Sequence, residues 1–250
     1  MTTPSVPLVY VILGAAGSGR RRILADLVEG GLAEDERALV VLSADETPDP
    51  AEAALGRILR WTRNGDSLVV PREEFGDATH VFWVADGRGN PVDQLEQFHA
   101  WLALSGCELG RVITVVNCRW AEQHPELIAW YEACIHFSDV VLLAAREGVA
   151  NKWLSDFQSR FKDQFFPCLF EFVKDGRVKN PPLVLEPEAR RVSHLFDEPD
   201  WEVLDDEDED DEEAETDEEV EVALEVDPYL ERRAGGRRVR EIPDVAKFLS

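Results

Sequence analysis

Leu8-Val-Tyr-Val-Ile-Leu-Gly-Ala-Ala-Gly-Ser-Gly-Arg-Arg21 is the stretch from which the rest of the chain can be read. Its opening apolar run is far shorter than a bilayer span and typical of a strand buried on both faces. Gly14 and Gly19 then fall at the two glycine positions of G-x-x-x-x-G-K-[ST], the spacing of a phosphate-binding loop. Such a loop curls between a strand and a helix so that successive N–H groups point inward, and the helix N-terminus adds a favourable dipole. Gly14, Ala15, Ala16, Gly17, Ser18 and Gly19 are therefore the candidate backbone donors to an anion. The side chains depart from the pattern. Arg20 stands at the lysine position, and Arg21 where a magnesium-binding hydroxyl belongs. Both can hold phosphate charge, but an arginine cannot ligate Mg²⁺, so the metal has no standard seat. Arg20-Arg-Arg22 is also a basic patch that an acidic segment can neutralise in cis.

Outward from this turn, strands and helices alternate. Apolar runs predict further strands over 38–42, 80–84, 111–116, 139–143 and 168–173, the last followed by a turn at Asp175-Gly176. Helical spacing predicts helices over 20–29, 50–63, 92–104, 125–137 and 150–162. This alternation implies an α/β domain with a doubly wound, mainly parallel sheet, whose ligands sit at the carboxyl ends of the strands. Trp83, Trp101, Trp130 and Trp153 fall on apolar faces and read as core. Trp61 and Trp120 lie near element ends, where they can line a groove.

The net charge of −25 is unevenly spread. Residues 198–227 carry 19 acidic side chains and no basic one, and residues 228–250 carry a net +3. Three units follow: a domain over 1–197, an acidic linker over 198–227 that is expected to be disordered, and a basic, partly apolar segment over 228–250 able to dock on a surface. The domain itself remains acidic, which argues against nucleic-acid binding. The four cysteines form no C-x-x-C pair, which together with the absence of a leader points to reduced thiols and a cytoplasmic location. The five histidines show no ligand spacing, so no metal residues are assigned.

His80-Val-Phe-Trp-Val-Ala-Asp-Gly-Arg-Gly-Asn-Pro91 and the helix after it resemble the CobW-type metallochaperone GTPases, relatives of the urease and hydrogenase accessory GTPases. The resemblance spans roughly residues 8–180 and implies a P-loop NTPase fold with GTP or another nucleotide as ligand. In that family this strand ends in E-x-x-G, here Val84-Ala-Asp-Gly87, so Gly87 is implied to donate its N–H to a terminal phosphate. Asp86-Gly-Arg-Gly89 also fits D-x-x-G, which makes Asp86 the candidate catalytic residue. The family strand ending in aspartate here ends in Asn117, and N-K-x-D falls on Ala144-Ala-Arg-Glu147, leaving Glu147 to accept from a base. The C-x-C-C metal motif is missing. The resemblance therefore implies a degenerate GTPase-like protein that binds nucleotide or phosphate weakly and acts mainly through protein contacts; the composition of the C-terminal segment makes it the expected partner-binding part. Two alternatives are a divergent GTPase or ATPase that assists metal-centre assembly, and an adaptor working through its C-terminal tail.

Overall fold

The computed structural model describes residues 6–197 and 227–249. In chain order the elements are β1 (Leu8–Gly14), α1 (Arg20–Gly31), β2 (Ala38–Ser43), β3 (Ile58–Asn64), β4 (Ser67–Val69), β5 (His80–Val84), α2 (Pro91–Ser105), β6 (Glu108–Asn117), α3 (Cys118–Gln123), α4 (Glu126–His136), β7 (Val140–Ala144), α5 (Asn151–Lys162), β8 (Leu169–Lys174), β9 (Arg177–Val178) and α6 (Pro181–Leu185). The described strands form one sheet in the order β4-β3-β2-β5-β1-β6-β7-β8-β9. All neighbours pair in parallel except the two edge hairpins, β3–β4 and β8–β9. The sheet is thus doubly wound and mainly parallel. The chain leaves β1 toward one side and later crosses back to the other, so the order reverses at β1, where such sheets open a crevice.

Alternation along β1 divides the core. Val9, Val11 and Leu13 face one layer, with Trp83, Phe98 and Trp130, whereas Tyr10 and Ile12 face the other, with Leu24 and Leu27 of α1 and Leu185 of α6. No helix among the described residues is long and apolar enough to cross a membrane.

Two expectations need correction. Residues 50–63 are not one helix. Pro50–Ala54 makes a short 3₁₀ turn closed by an Asp49/Glu52 capping box, Gly56 then takes φ +70°, and Ile58–Asn64 is strand β3. A left-handed residue cannot continue a helix, and Gly65-Asp66, with Gly65 at φ +60°, makes the tight turn into β4. Trp61 does not line a groove: it is fully buried, and its indole N–H donates to the Val84 carbonyl at 2.8 Å.

The segment after the acidic run is packed on the domain. Asp227 accepts from Ser193 Oγ at 2.5 Å and pairs with His136 Nε2 at 2.9 Å. Tyr229, Val245 and Leu249 are buried in the larger core layer. Arg238 donates to Asp93 at 2.5 Å and to Glu96 at 2.6 Å, both on α2. The acidic run is therefore bounded on both sides by chain that sits on the domain. Its expected disorder concerns residues that, Asp227 apart, lie outside the described ones.

Candidate functional site

The glycine-rich turn sits at the carboxyl end of β1, as its sequence requires. Gly17 and Gly19 have φ of +77° and +89°, and α1 begins at Arg20 without a side-chain cap. The first N–H groups of α1 consequently have no intrahelical partner and open on the loop. The turn is crossed by the segment after β5. The Ala16 N–H donates to the Gly87 carbonyl at 3.1 Å. A methyl group on Gly87 would lie 2.2 Å from the Ala16 nitrogen, so only glycine permits this approach.

The hollow above the turn contains a carboxylate. Glu46, in the loop after β2, is 8% exposed. Its Oε1 accepts from the Gly87 N–H at 2.9 Å and from the Arg20 guanidinium. Its Oε2 accepts from Arg21 at 2.8 Å. Arg20 also donates to the Ala85 carbonyl at 2.5 Å, while Arg21 donates to the Thr47 carbonyl at 2.7 Å and reaches Glu52 at 3.1 Å. Glu52 is held in turn by Arg60 at 2.5 Å. The groups assigned from sequence to a terminal phosphate, namely Gly87, Arg20 and Arg21, are thus brought together, and an internal carboxylate holds all three. No segment of the acidic run is needed to neutralise Arg20 and Arg21. Arg22 points elsewhere, donating to the Asp175 carbonyl at 2.5 Å.

Burial alone would push the Glu46 carboxyl pKa up, but Arg20, the Gly87 N–H and Arg21 outweigh it and hold the group below its ordinary 4.5. The sign for stability follows. Above the ordinary value Glu46 is ionised in both folded and unfolded chains, and its contribution is complete. As pH falls through the lowered value, the unfolded chain has bound a proton that the folded chain resists, and the contribution is lost. Urea midpoints should therefore drop on acidification below the ordinary carboxylate value of 4.5, and Glu46→Gln should flatten that part of the profile. An unchanged acid limb in the variant would contradict this assignment.

Of the remaining sequence candidates, Gly17, Ser18, Gly19 and Glu147 line a second hollow of about 350 Å³, together with Asn117 and Ala145. Ser18 is 4% exposed, and its hydroxyl has no hydrogen-bond partner among the described residues. Glu147 is exposed at the rim, where its carbonyl accepts from Arg119 at 2.7 Å. Asn117 caps α3 by accepting from the Trp120 N–H at 3.1 Å. This places the Trp120 ring over the turn, so that a methyl group on Gly17 would meet it at 2.8 Å. Trp120, unlike Trp61, is only partly buried. Asp86 lies at the mouth of the loop, but its carboxylate accepts from the Arg88 N–H at 3.0 Å, and its backbone is tied to Gln94. It is therefore engaged in its own turn.

The residue missed by sequence reading is Glu46, together with its support Glu52. A signal existed. Two arginines at positions that the fold buries require an acidic partner, and the loop after β2 offers Asp45, Glu46, Asp49 and Glu52.

No family model and no curated protein matches the chain. Among solved structures it is similar to nickel-bound HypB from Helicobacter pylori, with 12% identity over 66% of this chain and 78% of that one and a TM-score of 0.42. It is also similar to the zinc-bound YjiA GTPase from E. coli, with 13% identity over 74% and 67% and a TM-score of 0.45. A third is the signal recognition particle receptor FtsY from Elizabethkingia anophelis in complex with GDP, with 15% identity over 80% and 66% and a TM-score of 0.45. At such distances function is read from the chain's own residues.

Proposed function

We propose that this chain is a GTPase-like scaffold whose phosphate cradle is closed by its own glutamate, so that it binds nucleotide or phosphate weakly and works through protein contacts rather than turnover. The observation that carries the reading is Glu46, held at once by Arg20, Arg21 and the Gly87 N–H. A magnesium triphosphate does not fit these residues. Its terminal phosphate meets an ionised carboxylate, and the position of the metal-binding hydroxyl is an arginine that is itself paired. Phosphoryl transfer relies on metal and positioned cations to neutralise developing charge; here the cations are committed to Glu46, and Arg21 replaces the hydroxyl that would hold the metal. In the same stroke Glu46 ties the loop after β2 to the loop after β5. Loops that a nucleotide would otherwise order are thereby fixed relative to each other, presenting one constant surface to a partner. The buried side chains of the C-terminal segment serve the domain itself, so that surface is better sought on these loops than on the segment's apolar residues.

Calorimetric titration of the full chain with GTP and ATP, with and without Mg²⁺, tests the reading. Weak binding that is indifferent to Mg²⁺ is expected. Tight binding that requires Mg²⁺ would favour a divergent nucleotide-cleaving enzyme instead.

A further inference from the structure

Strand β8 leaves part of its outer edge open. It runs parallel to β7 over Leu169–Phe172, and the Leu169 N–H donates to the Asp139 carbonyl at 2.9 Å. Leu169 and Glu171 therefore turn their backbone groups to β7, whereas Phe170 and Phe172 turn theirs outward. On the outer side β9 pairs with Val173 and Lys174 alone, so among the described residues no strand meets the outward groups of Phe170 and Phe172. The Phe172 side of this edge is apolar and unprotected: the residue is 44% exposed, with the Arg146 guanidinium 4.3 Å above its ring. An unpaired edge carrying an exposed aromatic ring is a template for another strand. A stretch of the sequence matches it. Residues 220–226, Val-Glu-Val-Ala-Leu-Glu-Val, carry a large apolar side chain at every even position. They lie outside the described residues, but the residue that follows them does not. Asp227 is fixed on Ser193 and His136, and the His136 ring lies 6.3 Å from that of Phe166, which shortly precedes β8. Traced back from Asp227, the segment thus starts near the beginning of β8. Residues 198–219 remain to close the chain to Asp197, with an extended reach of roughly 70 Å.

We propose that the open edge of β8 is the docking site of residues 220–226 of the same chain, which add to the sheet as an antiparallel strand. Charge and apolar pattern together select one register. With Ala223 opposite Glu171, Leu224 falls beside Phe170 and Val222 beside Phe172, and neither Glu221 nor Glu225 faces Glu171. A slip of two residues in either direction sets two carboxylates directly across from each other. A slip of one sets a glutamate beside a phenylalanine and an apolar side chain beside Glu171. The direction suits the charges as well. Asp217-Glu218-Glu219 arrive at the far end of the edge, where Lys174 and Arg177 are exposed.

Paired cysteines in the full chain test the register. Because Glu171 turns its backbone to β7, it and Ala223 form a non-hydrogen-bonded pair with Cα atoms about 4.5 Å apart, within reach of a disulfide. Under mild oxidation of dilute protein, Glu171→Cys/Ala223→Cys should close an intramolecular disulfide at least about tenfold faster than Glu171→Cys/Glu221→Cys or Glu171→Cys/Glu225→Cys, whose Cα atoms would be too far apart. Amide hydrogen exchange reads the same contact with Glu171 in place. The Phe170 and Phe172 amides should exchange at least about tenfold more slowly in the wild type than in Leu224→Pro, which removes an N–H directed at the edge. Equal closure rates in the three cysteine pairs would overturn the inference, as would disulfides that form only between chains. Phe170 and Phe172 amides that exchange alike in the wild type and Leu224→Pro would overturn it independently.

Discussion

Replacing Glu46 by alanine is expected to lower the folding stability of this chain by about 3–5 kcal/mol, or roughly 10 °C in Tm. The size follows from what the substitution leaves behind rather than from what the ion pair contributes net. The Arg20 and Glu46 side chains are 4% and 6% exposed, so the alanine variant retains a largely buried guanidinium stripped of its counter-charge. Arg21 and the Gly87 N–H lose the same partner. Because the missing group is an anion and its donors remain in place, an anion supplied in solution should restore part of the loss. Inorganic phosphate should raise the Tm of Glu46→Ala far more than that of the wild type. A ligand at a hundred times its Kd stabilises by about 2.7 kcal/mol, which sets the scale. Thermal melts of both proteins across a phosphate series check this. Equal phosphate responses in the two proteins would mean that the carboxylate does not stand in an anion's seat.

The second large effect concerns the C-terminal segment. Tyr229→Ala is expected to cost about 3–5 kcal/mol, the range for deleting a buried aromatic side chain. Tyr229 is 2% exposed, its ring centroid lies 4.9 Å from that of His136, and the Arg240 guanidinium sits 4.4 Å above it. Its carbonyl accepts from Arg238 at 2.7 Å, and that arginine also grips α2. Losing the ring therefore loosens the anchorage of the segment as well as opening a cavity. Arg233→Ala, on the exposed side of the same segment, should change stability by less than about 0.5 kcal/mol. Urea denaturation of both variants reads the difference. A segment that served only to reach an external partner would show no loss in either.

What the sequence made legible, and what it did not, follows from the range of the interactions involved. The turn at residues 14–19 could be placed because a continuous apolar strand, the glycine spacing and the helix start are all local. The parallel, doubly wound sheet followed from the alternation of elements, which constrains topology strongly. Residues 50–63 misled because Ala54, Leu55, Ile58 and Leu59 fit a helical period, while Gly56 and Gly65-Asp66 carried the contrary backbone signal. Trp61 was misplaced by the same error, since strand β3 turns its indole into the core. The arginines of the site were visible, but their occupant was not. Glu46 reaches Arg20 only after β2 has packed beside β5, an event that no local pattern encodes. The seat on which the last segment docks was hidden for the same reason. Arg238 meets Asp93 across 145 positions of sequence, although the two charges are complementary.

Phosphate release from GTP and ATP by the purified full chain, followed across a Mg²⁺ series, most directly tests whether the cradle is closed. With Glu46 seated between Arg20 and Gly87, release should stay at the rate of the buffer alone at every Mg²⁺ concentration. Release that rises with Mg²⁺ and saturates with triphosphate would show that the carboxylate gives way to a terminal phosphate, and would contradict the account.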